Sequence, residues 1–248
     1  MIDKKIEINA FMLHIFAMFF MFLDHAWATV VRGNMWMNYV GRLAFPIFAF
    51  MIVEGYFHTK NFKKYMIRLL ILAIISEIPF NLMNSGSFVD PFHQNVIWTF
   101  IIALLCIALI EKVRSKNLSL LKVVVACSGI SLLGFLVATI GFVDYSGTGV
   151  FTVLVFYFFR GRKWWNILGQ FIGIFIINFM LIKNMDIPIM LFGREYFFPT
   201  QGFSIFSLIF IWAYKGKQGP YNKVIKYINY GFYPVHILIL SLLGLASI

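Results

Sequence analysis

The sequence predicts an all-α fold, a polytopic bundle of transmembrane helices with about nine spans. Composition is the first reason. Of 248 residues, 61% are hydrophobic and 12% charged, with mean hydropathy +0.84; a soluble domain is nearer roughly 45–50% apolar and about 25% charged. Length is the second. Apolar runs recur that match the roughly 20 helical residues needed to cross a hydrocarbon core of about 30 Å. Cut at polar punctuation, they place spans near 8–31, 36–57, 65–84, 95–112, 118–141, 147–160, 164–182, 201–214 and 228–247. The third reason is charge alternation, taken up after the elements themselves.

The first span follows the charged start MIDKKIEIN and reads MLHIFAMFF. It reads as a retained helix and not a signal peptide. It carries His14 and then the adjacent pair Asp24–His25. The second span holds Arg42 near one end and Glu54 with His58 near the other, four residues apart and so able to touch. The third starts behind Lys63 and Lys64 and contains Glu77. The triplet His93, Gln94, Asn95 precedes the fourth and could cap its first orphan N–H groups. Cys106 and Cys127 lie inside apolar runs, without disulfide or metal-site spacing. Asp144 sits in the connection before the sixth span. The segment 183–202 contains IPIMLF, too short to span, and reads as an external loop. The last span carries Tyr233-Pro234 and His236. Pro46, Pro79 and Pro234 predict kinks.

The basic residues alternate across these spans. Lys4, Lys5, Lys60, Lys63, Lys64, Arg68, Lys112, Arg114, Lys116, Lys122, Arg160, Arg162, Lys163, Lys215, Lys217, Lys223 and Lys226 fall on one side. Arg32, Lys183 and Arg194 fall on the other, and Arg42 within a span. The positive-inside rule then predicts a cytoplasmic N-terminus and an external C-terminus. The net charge of +11 is a topological signal, so the partner is a lipid bilayer and no nucleic acid is expected. No P-loop, GxSxG or dinucleotide fingerprint occurs, and no internal repeat. A single domain over residues 1–248 is expected, with no metal.

With that orientation, Asp24, His25, Arg42, Glu77, His93 and Asp144 occupy one outer-leaflet layer. An ionisable residue at mid-membrane depth costs roughly 2.5–3.5 kcal/mol on insertion scales and is a functional hypothesis by default. Asp24 and His25 point about 100° apart on a helix, so a shared environment is expected more than a direct bond, with Asp24 facing another helix. Imidazole titrates near neutrality and can take a proton from a nucleophile. Arg42 and Glu77, from outer halves of neighbouring spans, are expected to pair. His14 and His25 are eleven residues apart, about three turns, and share a face with Met18, Met21 and Phe22; that face either lines a path across the helix or leaves His14 at the inner interface. His236 alone reads equally as a satisfied core histidine. These groups fit an enzyme. A proton-coupled transporter would also bury carboxylates and histidines, but no paired half repeats are present.

The segments FMFLDH at 20–25, GRLAFPIFAFMIVEGYFHT at 41–59, KKYMIRLLILAIISEIPFNL at 63–82 and HQNVIWTF at 93–100 resemble the TraX family of membrane proteins. DYSGTGV at 144–150, YKGKQG at 214–219 and YPVH at 233–236 extend the likeness over nearly the whole length. Ser146 departs from the family's glycine after the DY pair. The family's namesake is a conjugal-transfer pilin N-acetylase. The family is distantly similar to transmembrane acyltransferases that use a histidine in an early helix and acyl-CoA from the cytoplasm.

The resemblance implies a bacterial cytoplasmic-membrane acyltransferase taking acetyl-CoA as donor. The acceptor would be a peptide N-terminus such as pilin's, or another envelope amine or hydroxyl. It implies His25 as general base, Asp24 or Glu77 as its orienting carboxylate, and Arg42 or the amides of 93–95 as oxyanion donors. His93, Gln94, Asn95, Asp144 and His236 are then expected on the substrate side, and Glu54, His58, Lys63 and Lys64 toward the donor.

Overall fold

The computed structural model describes residues 7–182 and 185–246; Lys4, Lys5 and Lys183 lie outside them. Asparagines start three of the helices, and glycines let several of them touch. The helices are α1 (Ala10–Thr29), α2 (Met35–Gly41), α3 (Ala44–His58), α4 (Phe62–Ser85), α5 (Val96–Arg114), α6 (Leu120–Ile140), α7 (Ser146–Phe158), α8 (Trp164–Ile176), α9 (Ser207–Ala213) and α10 (Lys223–Ala246). Asn9, Asn61 and Asn95 cap α1, α4 and α5, their side-chain oxygens accepting from Met12, Lys64 and Ile97 N–H. Each satisfies a donor that the first helical turn leaves unpaired. Gly86, left-handed at φ 67°, ends α4, as a residue without Cβ does at low cost.

Among the described residues, seven helices are long and apolar enough to cross a membrane: Ala10–Thr29, Met35–His58, Phe62–Ser85, Val96–Arg114, Leu120–Ile140, Trp164–Leu181 and Lys223–Ala246. The two remaining expected spans correspond to shorter apolar helices, Ser146–Phe158 and Thr200–Ala213. Thirteen residues of α-helix reach only about 20 Å. α7 is short because it is core: Gly147, Gly149, Val150, Val153, Leu154, Phe156 and Tyr157 are all buried, with α3, α5, α6 and α8 packed around it. The other short element begins as a 3-10 turn, Thr200–Phe206, and continues as α9.

Two expectations are corrected in detail. The fold is not purely helical: Asp186–Leu191 (β1) and Arg194–Pro199 (β2) form an antiparallel hairpin where a loop was expected. Phe192 and Gly193, at φ 51° and 74°, supply the two-residue turn with both φ values positive that suits the twist of a hairpin. The break in the second span lies at Arg42–Leu43, upstream of Pro46. Pro46 is the third residue of α3, where its missing N–H has no intrahelical partner to lose. Separately, α8 runs on into a π-helical turn, Ile177–Leu181.

The basic connections gather at one end of the bundle. There Arg160 meets Glu54 at the end of α3, Lys217 meets Glu7, and Ile8 pairs with Tyr214. The opposite end carries the α4–α5 and α6–α7 connections, whose backbones join through Gln94 and Val143. The polar layer lies toward this second end.

Candidate catalytic site

Asp24 is placed by a glycine. A Cβ built on Gly41 would lie 2.5 Å from Asp24 Cβ and 2.9 Å from its Cα, so only glycine lets α2 settle this closely on α1. Asn38 and Arg42 are four residues apart, on one side of the chain as α2 ends. Asp24 Oδ1 accepts from Asn38 Nδ2 at 2.9 Å and from Arg42 Nη2 at 2.6 Å. Both members of the ion pair are largely buried. Asp24 therefore faces another helix, as expected. Arg42 does not pair with Glu77, contrary to expectation.

Glu77 belongs instead to the start of α5. Its Oε1 accepts from Trp98 Nε1 at 2.7 Å, and from the Asn95 backbone and amide side chain at 3.2 and 2.5 Å. Asn95 is fully buried and also donates to Ala73 O, so it is a cap tied to α4. The Gln94 N–H donates to Phe142 O and the Trp98 N–H to Asn95 O. The amides of Gln94, Asn95, Ile97 and Trp98 are thus committed, which leaves these four unavailable as oxyanion donors.

The adjacent histidine has a partner that the sequence leaves open. His25 Nδ1 and His236 Nε2 are 2.7 Å apart, on stacked rings with planes 6° apart. His236 Nδ1 lies 2.5 Å from Phe232 O. A carbonyl only accepts, so Nδ1 of His236 carries a proton. In the neutral pair His236 Nε2 must then accept from Nδ1–H of His25. That fixes His25 as the tautomer whose Nε2 keeps its lone pair. His236 stands behind His25, in contact with its Nδ1 side. Tyr233, one turn earlier on α10, sets its ring against both histidines.

Asp144 is held by backbone on both sides. Its N–H donates to Gln94 O at 2.8 Å, and its carbonyl accepts from Thr99 Oγ1 at 2.5 Å. Tyr145 and Ser146 follow in the left-handed region, at φ 62° and 47°. Non-glycine residues there store strain of order 1–3 kcal/mol each. The Tyr145 ring stacks on Phe45 with centroids 3.8 Å apart. His93 Nε2 lies 3.7 Å from Asp144 Oδ1. That carboxylate, as hydrogen-bond partner and as charge, raises the imidazole above its usual value against the opposing effect of burial.

The layer expected from sequence thus exists as three neighbouring units: Asp24–Arg42–Asn38, His25–His236–Tyr233, and Glu77–Asn95–Trp98 with His93–Asp144 beside it. Arg42 Nε, Glu77 Oε2 and Asn38 Oδ1 are buried without a partner among the described residues. Buried polar atoms are nearly always bonded, so three in one layer suit a polar ligand. Asn38, Trp98, Tyr145 and Tyr233 were not anticipated. The usable signals were Asn38 four residues before Arg42, and Trp98 three residues after Asn95.

A cavity of about 330 Å³ leads toward this layer from the basic end. His14, Met18 and Met21 line one wall, so the shared face of α1 does border a passage, and Tyr233 stands at its inner end. Lys226, Gln218 and Tyr221 stand at its mouth. Lys63 and Lys64 are exposed at the start of α4 and do not line it. Glu54 reaches His58 at 3.4 Å and Arg160 at 2.6 Å, on the wall of a second, polar cavity. Among the described residues no cluster of ligands suited to a metal ion occurs.

Compared with known proteins, residues 10–244 match the family described as TraX protein. The chain is 28% identical over 251 residues, 96% of each sequence, to a probable fimbrial assembly protein FimC, serogroup H1, of Dichelobacter nodosus. No solved structure matches.

Proposed function

The chain belongs to the TraX family, and from that premise we propose that it is a membrane-embedded acyltransferase that moves an acetyl or similar acyl group from acyl-CoA to an amine or hydroxyl acceptor. The observation that carries the reading is the His25–His236 pair set against Tyr233, a residue that also lines the cavity in which Lys226 stands. The fimbrial name of its relative favours a pilin-type peptide amine as acceptor. In this reading all nine apolar helices serve as spans, the N-terminus is cytoplasmic, and the membrane is the bacterial cytoplasmic one.

The chemistry follows from the tautomer. The acceptor nitrogen or oxygen attacks the thioester carbonyl while His25 Nε2 takes its proton. The new imidazolium keeps its Nδ1–H on His236, whose own Nδ1–H rests on Phe232 O. Arg42, through its uncommitted Nε, faces the tetrahedral oxyanion. Collapse expels the CoA thiolate, which recovers the proton from His25. Asp24 balances Arg42, and Glu77 Oε2 is available to accept a hydrogen bond from the neutral acceptor amine or hydroxyl. CoA phosphates stay at the basic end, where positive potential holds them.

A proton-coupled transporter would use the same titratable groups. Purified protein in detergent separates the two readings. The acyltransferase reading expects binding and slow hydrolysis of acetyl-CoA without acceptor; a transporter or a scaffold shows neither.

A further inference from the structure

We propose that the polar cavity between the α7–α8 and α9–α10 connections is a binding site for a phosphate-bearing ligand, held by Arg160, Arg162 and Lys215. The cavity has a volume of about 490 Å³ and lies on the other side of α3 from the apolar one. Phe50 and Glu54 line it, whereas Met51, Ile52 and Gly55 line the apolar cavity.

Both guanidinium groups are already fixed. Arg160 donates through Nε and Nη2 to the two Glu54 oxygens, at 2.6 and 3.3 Å, and lies 4.2 Å over the Phe57 ring. Arg162 donates through Nη2 to the carbonyls of Trp212 and Tyr214, which ties the two connections together. A guanidinium has five N–H donors, so each keeps several beyond these bonds. A planar fork held in place loses little freedom on binding and matches phosphate oxygens bidentately. Three cations stand against one carboxylate, so the cavity is net positive. Gly161 and Gly216, at φ 129° and 74°, shape its rim at both connections.

The site adjoins the apolar cavity. Gly216 lines one and Gln218 the other. A ligand with phosphates at Arg160 and Arg162 and a flexible arm has a short crossing, over residues 216–218, to the passage ending at Tyr233. That source, the nucleotide end of the acyl donor, rests on the acyltransferase reading. The phosphate chemistry does not, and an anionic phospholipid headgroup offers the same group.

The test uses the full chain in phosphatidylcholine nanodiscs, titrated calorimetrically with adenosine bisphosphate, and in parallel discs containing phosphatidylglycerol, compared by melting. Lys215→Gln is the main variant, because Lys215 is exposed and its side chain carries no hydrogen bond to the described residues. Arg162→Gln is the second, and Lys116→Gln, elsewhere at the basic end, the control. A charge-assisted contact corresponds to about tenfold in affinity. A tenfold loss of nucleotide affinity in Lys215→Gln, with Lys116→Gln unchanged, supports the site with the nucleotide as source. Absent nucleotide binding, a phosphatidylglycerol-dependent rise in melting that Lys215→Gln abolishes supports it with lipid as source. If neither probe distinguishes Lys215→Gln or Arg162→Gln from wild type, the proposal is overturned. Nucleotide binding lost in Lys215→Gln, in a protein that never hydrolyses acetyl-CoA, would retain the site and reject the acyltransferase.

Discussion

At the scale of residues, the buried charges decide what the layer tolerates. Removing one partner of a buried ion pair strands the other and costs roughly 3–5 kcal/mol. Asp24→Asn and Arg42→Met are each expected to lower thermal stability, and the double variant to recover part of the loss, because Arg42 Nη2 and Asp24 Oδ1 are 2.6 Å apart. Strictly additive melting shifts would contradict the pairing. The sequence placed both residues in the layer but assigned Arg42 to Glu77. Depth along a helix is legible from periodicity, whereas the choice between two carboxylates depends on how closely α2 approaches α1.

His93 gives a pH dependence. Its folded-state value is raised above the usual 6.5 by Asp144. The protonated form is thus favoured by folding, and the contribution is present in full below about 6.5 and fades as pH rises through the higher folded value. Melting temperature should therefore fall across the neutral range in wild type, and Asp144→Asn should flatten that slope. An unchanged slope would remove the pair. His236 acts on the site through His25. His236→Ala is expected to slow turnover by less than the loss of a general base and to shift the pH–rate profile; a profile unchanged in shape would leave His236 a packing residue only.

At the scale of elements, a single glycine positions the site. Gly41→Ala sets a methyl group against Asp24, and overpacking of this kind costs typically about 1–3 kcal/mol. The variant should melt earlier and lose activity, although Gly41 carries no functional group. Wild-type melting and turnover would show that α2 has room to move. The start of α5 was legible because Asn95 advertises a cap. Three features were not. The break before α3 lies upstream of Pro46, since proline tolerates a first turn. The short helix α7 is apolar like a span because it is core on almost every side. The hairpin at 186–199 depends on Phe192 adopting a positive φ, to which a bulky apolar residue gives no clue.

At the scale of the whole molecule, the membrane class was plain from composition, since no polar surface large enough to cover a soluble fold exists in this chain. The gathering of basic residues at one end was equally legible, and it predicts sidedness. Cys106 and Cys127 are buried, so introduced thiols report cleanly. Ser115→Cys is expected to label from the cytoplasmic side and Ser87→Cys from outside; the reverse would invert the layout. The meeting of α1 with α10 was not legible, because His25 and His236 are 211 residues apart and nothing local links them. That meeting turns two isolated histidines into a stacked, hydrogen-bonded pair.

The most direct test is therefore acyl transfer itself, measured as release of free CoA from acetyl-CoA by purified wild type and by His25→Ala. Loss of a general base typically costs about 10²–10⁴ in rate. The expected result is CoA release by wild type and a fall of that size in the variant, with melting showing that it remains folded. Near-normal turnover in a folded His25→Ala protein, or no release by wild type with any amine or hydroxyl acceptor, would contradict the account.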